Sequence, residues 1–594
     1  MSENVSDFIV KRLLDWNVRR VFGYPGDGIN PLLAALNRSD GQIDFVQVRH
    51  EVMASFMACA HAKFSGEVGV CMATSGPGAI QLMNGLYDAK LDNQPVVAIV
   101  GQQARTALGS NYIQDVDLVS LFKDVAHEYV NVATVSSQVR HLLDRTIRIA
   151  LSERTVTCLI LPHDIQSEKF DDPEHKSGNT FSGFGYSPPR VVPREEDLQR
   201  AAEILNGGKR VAMLVGAGAL GATEQVTTLA NRLGAGVAKA LLGKAAVPDD
   251  LPYVTGSIGM LGTEATQKMM DGCDTLLVIG SNFPYAEFLP KEGSVPAVQI
   301  DISGRNLSLR YPMDVCLQGD SKETIEALLP FIMTKQDLSW RDEIEKNVRE
   351  WWRVVESRAA MEADPVNPQR VFLELSDILP EKSILSADSG TSTVWFARDI
   401  RVRKGMMASA SGGLASMGCA LPYAIAAKFA YPERPAFAFV GDGAMQMGGN
   451  AELLTVAKYY KEWADPRLVV VVLNNRDLSF VTWEMRAQEG DPRFEASQDI
   501  PGFSYANYAE SIGLRGISIL NPDEISSALN TAVLANKPVV LDVHCDPNVP
   551  PLPPKLSLEH ARNINAAIAK GDEDAPKTVA NTFGQMFKSL FTHR

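Results

Sequence analysis

Short runs rich in valine, isoleucine, leucine and alanine recur along the whole chain, each edged by glycine or proline and followed by helically spaced apolar residues. A strand with no polar alternation is buried on both faces, and such strands belong in parallel sheets covered by helices. The pattern therefore predicts an α/β fold. In the first third, Val68–Ala73 and Pro95–Gly101 read as strands with Ala79–Lys90 as the helix between them. Phe170–Pro193 is rich in Gly, Ser and Pro, which packs poorly and predicts a boundary. Beyond it, Arg210–Val215, Thr275–Gly280 and Pro296–Ile302 read as strands of a second unit. A third opens near Pro368, with a helix over Arg370–Leu379 and a strand over Ser383–Ala387, and closes on Pro538–His544. A chain of 594 residues is too long for one core, so three domains are expected, over 1–175, 190–335 and 350–550, with a tail over 551–594. The outer two share a rhythm of strand, glycine-rich turn and helix without a strict repeat. Two related domains flanking a different one follow.

Composition excludes several classes. A formal charge of −14 leaves no basic stripe to displace counterions from phosphates, so no nucleic-acid partner is expected. The first thirty residues mix Glu3, Asp7, Lys11, Arg12 and Asp15 among apolar positions and contain no signal-peptide hydrophobic region, which predicts a cytoplasmic protein. Seven scattered cysteines without a CxxC pair predict reduced core residues rather than a zinc site or a disulfide framework.

Chemistry concentrates in the last third. Pro435–Val440 reads as a buried strand running into Gly441-Asp442-Gly443, with a helical stretch from Ala444 to Lys461. Glycines there let backbone approach a phosphate at a helix N-terminus, where an acidic residue is useful only if a cation intervenes. A second strand, Leu468–Leu473, ends in Asn474-Asn475-Arg476-Asp477, and Asn475 follows Asp442 by 33 residues. One carboxylate, one amide oxygen, a backbone carbonyl and a diphosphate make an oxygen shell suited to Mg²⁺. Each motif alone reads equally well as a turn.

Together they make the chain resemble the thiamine-diphosphate enzymes of the pyruvate oxidase and acetolactate synthase group, over nearly its whole length. The resemblance implies Mg²⁺ on Asp442, the Asn475 side chain and the Asp477 carbonyl, with Gly443 and Ala444 beside the cofactor. Arg49-His50-Glu51, followed by Ala54, Phe56 and Ala58, resembles the family segment whose glutamate activates the coenzyme. Glu51 would hydrogen-bond N1′ of the aminopyrimidine, which asks for a carboxyl protected from bulk water. For a lone His50-Glu51 pair a surface charge pair is the alternative. Ser411–Gly418 resembles the segment supporting the coenzyme's bent shape: Met417 would wedge beneath its rings, Ser416 flanks it, and Ala415 stands where relatives have glycine. Thr391, in Asp388–Thr393, resembles a diphosphate contact, and Thr74–Gly78 with Asn84 and Gly85 resembles the family's first domain. In relatives Glu51 serves a coenzyme anchored on a neighbouring subunit, so a homodimer or homotetramer is implied.

Two features bear on the reaction. Gly216-Ala217-Gly218 alone is a weak dinucleotide signal. Ala240–Lys244, Ile258-Gly259-Met260-Leu261, Ser281-Asn282-Phe283-Pro284-Tyr285 and Asp301 together resemble the Rossmann-like FAD domain of pyruvate oxidases, above all the quinone-linked kind, with Asp301 suited to a ribose hydroxyl. Acetolactate synthases keep a related domain with a flavin that does no redox work. Glu484 stands where acetolactate synthases carry tryptophan and pyruvate oxidases glutamate, and Phe480 fits either an aromatic contact near the coenzyme or core packing. Gln114 and Asp27-Gly28 match substrate-side positions, although Ile113 replaces an aromatic residue. The expected activity is oxidative decarboxylation of pyruvate, with electrons passing to FAD and then to quinone or O₂. An acetolactate-type carboligase acting on 2-oxo acids is the alternative, and a non-catalytic assembly subunit the third reading. At the C-terminus, Val579, Phe583, Met586, Phe587, Leu590 and Phe591 share one helical face near Lys577, Lys588 and Arg594. That face either docks on the protein or lies peripherally on the inner face of the cytoplasmic membrane.

Overall fold

In the computed structural model, which describes residues 3–555 and 558–591 with the side chains of 583 and 586–591 left out, three six-stranded sheets carry the fold. Strand pairing within them is parallel, as the apolar runs predict. With the strands of each sheet numbered in chain order, the first and third sheets share the order 2-1-3-4-6-5. The central sheet follows 3-2-1-4-5-6, the order of dinucleotide-binding α/β domains. The kinship that the sequence suggested only as a rhythm is thus a shared topology. No helix or strand is formed between Ser167 and Glu195, the stretch that composition marked as a boundary.

By compactness the chain divides into two units. One comprises residues 1–188, 411–438 and 444–468 and contains the first sheet; the other comprises 189–410, 439–443 and 469–594 and contains the central sheet and most of the third.

In the first unit the helix Glu51–Ser65 is buried on nearly all sides, which its alanines and apolar residues permit. Close packing needs small neighbours: a Cβ at Gly85 would sit 2.6 Å from the Phe56 backbone nitrogen. Two helical expectations need correction. Ala79–Lys90 is two helices, Pro77–Gln81 and Met83–Leu91, and the run after Ala444 contains a π-helical turn over Met445–Gly449, a form that recurs near functional sites. The cysteines are free and buried as expected except Cys316, which is exposed because its strand alternates buried and exposed positions.

In the second unit the strand Leu468–Asn474 is buried at every position. The C-terminal helices Leu558–Ala569 and Ala575–Phe591 dock beside the segment that follows this strand. The Arg486 guanidinium donates to both Asp572 oxygens at 2.8 and 2.9 Å, and to Thr578 at 3.0 Å, with both charges almost fully buried. Val579 packs on a small core of Trp483, Ala487, Leu552 and Ile564, so this residue of the apolar face meets protein. The side chains of Phe583, Met586, Phe587, Leu590 and Phe591 lie outside the described residues. Among the described residues no helix is long and apolar enough to cross a membrane.

Removing one partner of a buried ion pair strands the other charge at a cost of about 3–5 kcal/mol. Asp572→Ala is therefore expected to speed hydrogen exchange of the amides in 558–591 at least a hundredfold, with the central sheet unaffected. Unchanged protection of those amides would show that the pair does not hold the tail.

Candidate cofactor site

A parallel strand delivers its following loop to the C-terminal edge of the sheet, and the expected site residues lie at such edges. They fall into two sets, one in each unit.

In the first unit, Glu51 opens its helix just past the strand Asp44–Gln47, half-buried, with the His50 side chain accepting the Val52 N–H at 3.3 Å. The segment Thr74–Gly78, past the strand Gly69–Ala73, touches several expected residues at once. A Cβ on Gly78 would lie 3.2 Å from the Glu51 carboxylate, and one on Gly76 would lie 2.8 Å from Gln114 Cβ. The Gly28 N–H donates to Thr74 at 3.0 Å, and Ser75 donates to the Gln114 side chain at 3.1 Å. Ile113, in place of an aromatic residue, is 70% exposed.

The loop carrying Ala415, Ser416 and Met417 also belongs to this unit and is held by polar groups distant in sequence. Asn84 donates to the Ser416 hydroxyl at 2.8 Å, and the Asp92 carboxylate accepts the N–H groups of Gly412 and Gly413 at 3.0 and 2.6 Å. Asp92 is itself paired with buried Lys63 at 2.6 Å, and Lys63 donates to Tyr423, which donates to Asp88. Ala415 has φ of 53°, the left-handed conformation that glycine adopts without strain, so alanine keeps the backbone path at a cost of about 1 kcal/mol. Met417 is half-buried.

In the second unit, Asp442 is 2% exposed, and its carboxylate accepts the N–H groups of Gly443 at 2.9 Å and Arg476 at 2.6 Å. Burial pushes this carboxyl up to about 7, against the pull of the Arg476, Gly443 and Asn475 N–H groups, and the nearby Asp477 pushes in the same direction as burial. Such a charge is what a cation relieves. The two asparagines separate by strand alternation: Asn474 turns inward to Asp542 at 2.9 Å, while Asn475 is half-buried at the edge and donates to Ser479 at 3.0 Å. Ser479 lies 3.2 Å from the Thr391 hydroxyl, and Thr391, Trp395, Asn475, Ser479, Cys545 and Asp546 line a small cavity. Ser479 escaped the sequence reading because serine carries no signature by itself. Asp477 accepts the Thr482 hydroxyl at 3.0 Å and the Arg493 guanidinium at 2.8 Å, so its carboxylate is engaged while its carbonyl is a separate group. Among the described residues no three His, Cys, Asp or Glu side chains gather as a metal cluster, and the expected shell has a single carboxylate. Phe480 and Glu484 are half-buried on the helix Ser479–Glu484, and burial raises the Glu484 carboxyl.

Around the central sheet, two of the segments expected to line a flavin, Ile258–Leu261 and Ser281–Tyr285, touch. A Cβ on Gly259 would meet the Phe283 ring at 2.9 Å, and Phe283 and Tyr285 stack edge to face at 5.6 Å. Ile258 and Ser281 are buried, Met260 and Leu261 half-buried, and Asn282, Pro284 and Tyr285 exposed. Arg398 donates to the Met260 carbonyl at 2.8 Å. Gly216 and Gly218 pack against Gly280: a Cβ at Gly216 would stand 2.4 Å from the Gly280 carbonyl oxygen, which makes these glycines loop-packing residues. Asp301 is buried at the end of the fifth strand, accepts the Ser303 N–H at 2.8 Å and is raised by burial.

One residue passed over in sequence stands out in the first unit. Glu452, on the helix Asn450–Tyr459, is 0% exposed, and burial pushes it up to about 7 although the Arg49 backbone N–H bonds to it.

Three family models match in chain order: the N-terminal TPP binding domain of thiamine pyrophosphate enzymes at residues 3–121, their central domain at 198–328 and their C-terminal TPP binding domain at 388–543. The "Putative thiamine pyrophosphate-containing protein YdaP" of Bacillus subtilis (strain 168) is 33% identical over 98% of each chain. The probable acetolactate synthase large subunit of Methanocaldococcus jannaschii is 30% identical over 92% of this chain and 93% of its own. Pyruvate oxidase of Lactiplantibacillus plantarum is 26% identical over 94% of this chain and 91% of its own. With three parallel-sheet domains in matching order and a relative aligned from end to end, the chain belongs to the thiamine pyrophosphate enzymes.

Proposed function

We propose that this thiamine-diphosphate enzyme decarboxylates a 2-oxo acid, pyruvate above all, oxidatively, passing electrons through FAD to quinone or O₂. The observation that carries the reading is the helix Ser479–Glu484, which leaves the Asn475–Asp477 turn and ends on a half-buried acid. Glu484 is where the oxidases of this group resemble the chain and the acetolactate synthases do not.

When bound, thiamine diphosphate supplies the electron sink that decarboxylation of a 2-oxo acid requires. The residues of the chain do the rest. Asp442, Asn475 and the Asp477 carbonyl would hold Mg²⁺, which answers the buried Asp442 carboxylate. Gly443, Ala444 and Thr391 stand at helix starts, where N–H groups and a hydroxyl favour a diphosphate. Glu51 would share a proton with N1′ of the aminopyrimidine, Met417 would support the bent coenzyme, and Gln114 with Gly28 would face the substrate. For FAD, Ile258–Leu261, Ser281–Tyr285 and Asp301 would line the site; the close approach of Gly259 to Phe283, the 45% exposure of Tyr285 and a sheet of dinucleotide-binding order support that reading. A carboligase of the acetolactate type is the second reading, favoured by the 30% identity to a "Probable acetolactate synthase large subunit" against 26% to a pyruvate oxidase. A homodimer or homotetramer and peripheral membrane contact of the tail complete the proposal.

Anaerobic mixing of the purified protein with pyruvate should bleach flavin absorbance within a turnover. An unbleached flavin with acetolactate or acetoin accumulating would reject the oxidase in favour of the carboligase. Glu51→Gln should keep Mg²⁺ and coenzyme affinity while losing roughly 10²–10⁴-fold in turnover, the usual contribution of a positioned proton-transfer group; wild-type turnover would remove Glu51 from this role. Asp442→Asn should abolish the Mg²⁺ dependence of coenzyme binding in calorimetric titration, and undiminished dependence would place the metal elsewhere.

A further inference from the structure

Glu452 has no part in the chemistry above, yet an acid this deeply buried is rare without a specific partner. Its Oε1 accepts the N–H of Arg49, two residues before Glu51, at 2.6 Å. The rest of its helix runs along the same stretch of chain: the Tyr459 hydroxyl accepts the Gln47 N–H at 2.9 Å, and Lys458 donates to the Gln47 side chain at 2.8 Å. On the far side of Glu51, Met53 fills the space left by Gly448, where a Cβ would stand 2.3 Å from the Met53 Cε. Gln47 is the last residue of its strand and Glu51 the first of its helix, so the chain leading from one into the other is pinned at positions 47, 49 and 53.

We propose that Glu452 is a positioning residue for Glu51, its carboxylate fixing the Arg49 backbone so that the helix starts where Glu51 meets the coenzyme. The inference rests on the reading of Glu51 given above. The physical ground is reach: a turn of three residues between a strand and a buried helix has little freedom once its Val48 N–H is held by the Gly23 carbonyl at 3.1 Å and its Arg49 N–H by Glu452, and a misplacement near 1 Å at a reacting group costs about 10²-fold in rate. The acceptor rather than the charge is what the turn needs. Glu452→Gln keeps an oxygen at the same distance, whereas Glu452→Asp keeps the charge but withdraws it by one methylene.

The test is deuterium exchange at the reactive carbon of the coenzyme bound to the full-length holoenzyme, read by proton NMR after acid quench, beside coenzyme affinity and the thermal midpoint. Glu452→Asp should slow exchange tenfold or more with coenzyme affinity unchanged, and Glu452→Gln should exchange within about twofold of wild type. Wild-type exchange in Glu452→Asp, or exchange in Glu452→Gln as slow as in Glu452→Asp, would overturn the proposal. Glu51→Gln run in parallel separates the two readings. Slow exchange there with normal exchange in Glu452→Asp removes only the positioning role, and normal exchange in Glu51→Gln removes the assignment of Glu51 and with it the role of Glu452.

Discussion

A parallel strand paired on both sides spends its backbone groups within the sheet, so the first residues free to present N–H groups and side chains are those just past its C-terminal end. Thr74–Gly78, Thr391, Asp442, Asn475 and Asp546 all occupy such positions, although they follow strands far apart in the sequence, and Glu51 lies past the C-terminal end of an edge strand. Where two neighbouring strands send their loops in opposite directions, the edge opens into a crevice. That constraint turns a list of separated turns into candidate sites without requiring any one turn to be unusual.

Buried charges then fix how those turns lie. Asp92 holds the N–H groups of Gly412 and Gly413 and is itself neutralised by Lys63, so a carboxylate over three hundred residues away sets the loop that leads to Met417. Glu452 does the same for the turn before Glu51. Asp442 is held by backbone N–H groups of its own and the Asn475 turns, and Asp572 gathers Arg486 and the Arg493 N–H beside the segment that follows. Each is an acid whose burial would be unfavourable alone and is offset by donors arranged around it. In each case a loop gains one position instead of several.

The elements were largely legible in advance, because burial on both faces leaves an uninterrupted apolar run: Leu468–Asn474 and Val96–Gln102 were foreseen to within a residue or two. The π-helical turn at Met445–Gly449 was not, since a widened turn leaves the apolar spacing nearly unchanged. The break at Leu82 between two short helices was hidden for the same reason. The cofactor residues were legible where one residue type does the chemistry, as with Asp442 and Asn475. Ser479 and Glu452 were not, because serine and glutamate occur on every solvated helix and only their neighbours in space distinguish them.

The sequence by itself determined the fold class, the sequence of domains and the coenzyme family, all of which depend on local patterns: apolar runs, glycine turns and two short polar motifs at a set spacing. Tertiary structure decided that the outer sheets share one strand order, that Gly216 and Gly218 serve loop packing, and that Val579 of the tail rests on protein. It also decided which acid holds which turn. Those outcomes are contacts between residues tens to hundreds of positions apart, and such a contact leaves no periodic trace in the chain; it exists only once the sheets have brought its two halves within hydrogen-bonding distance.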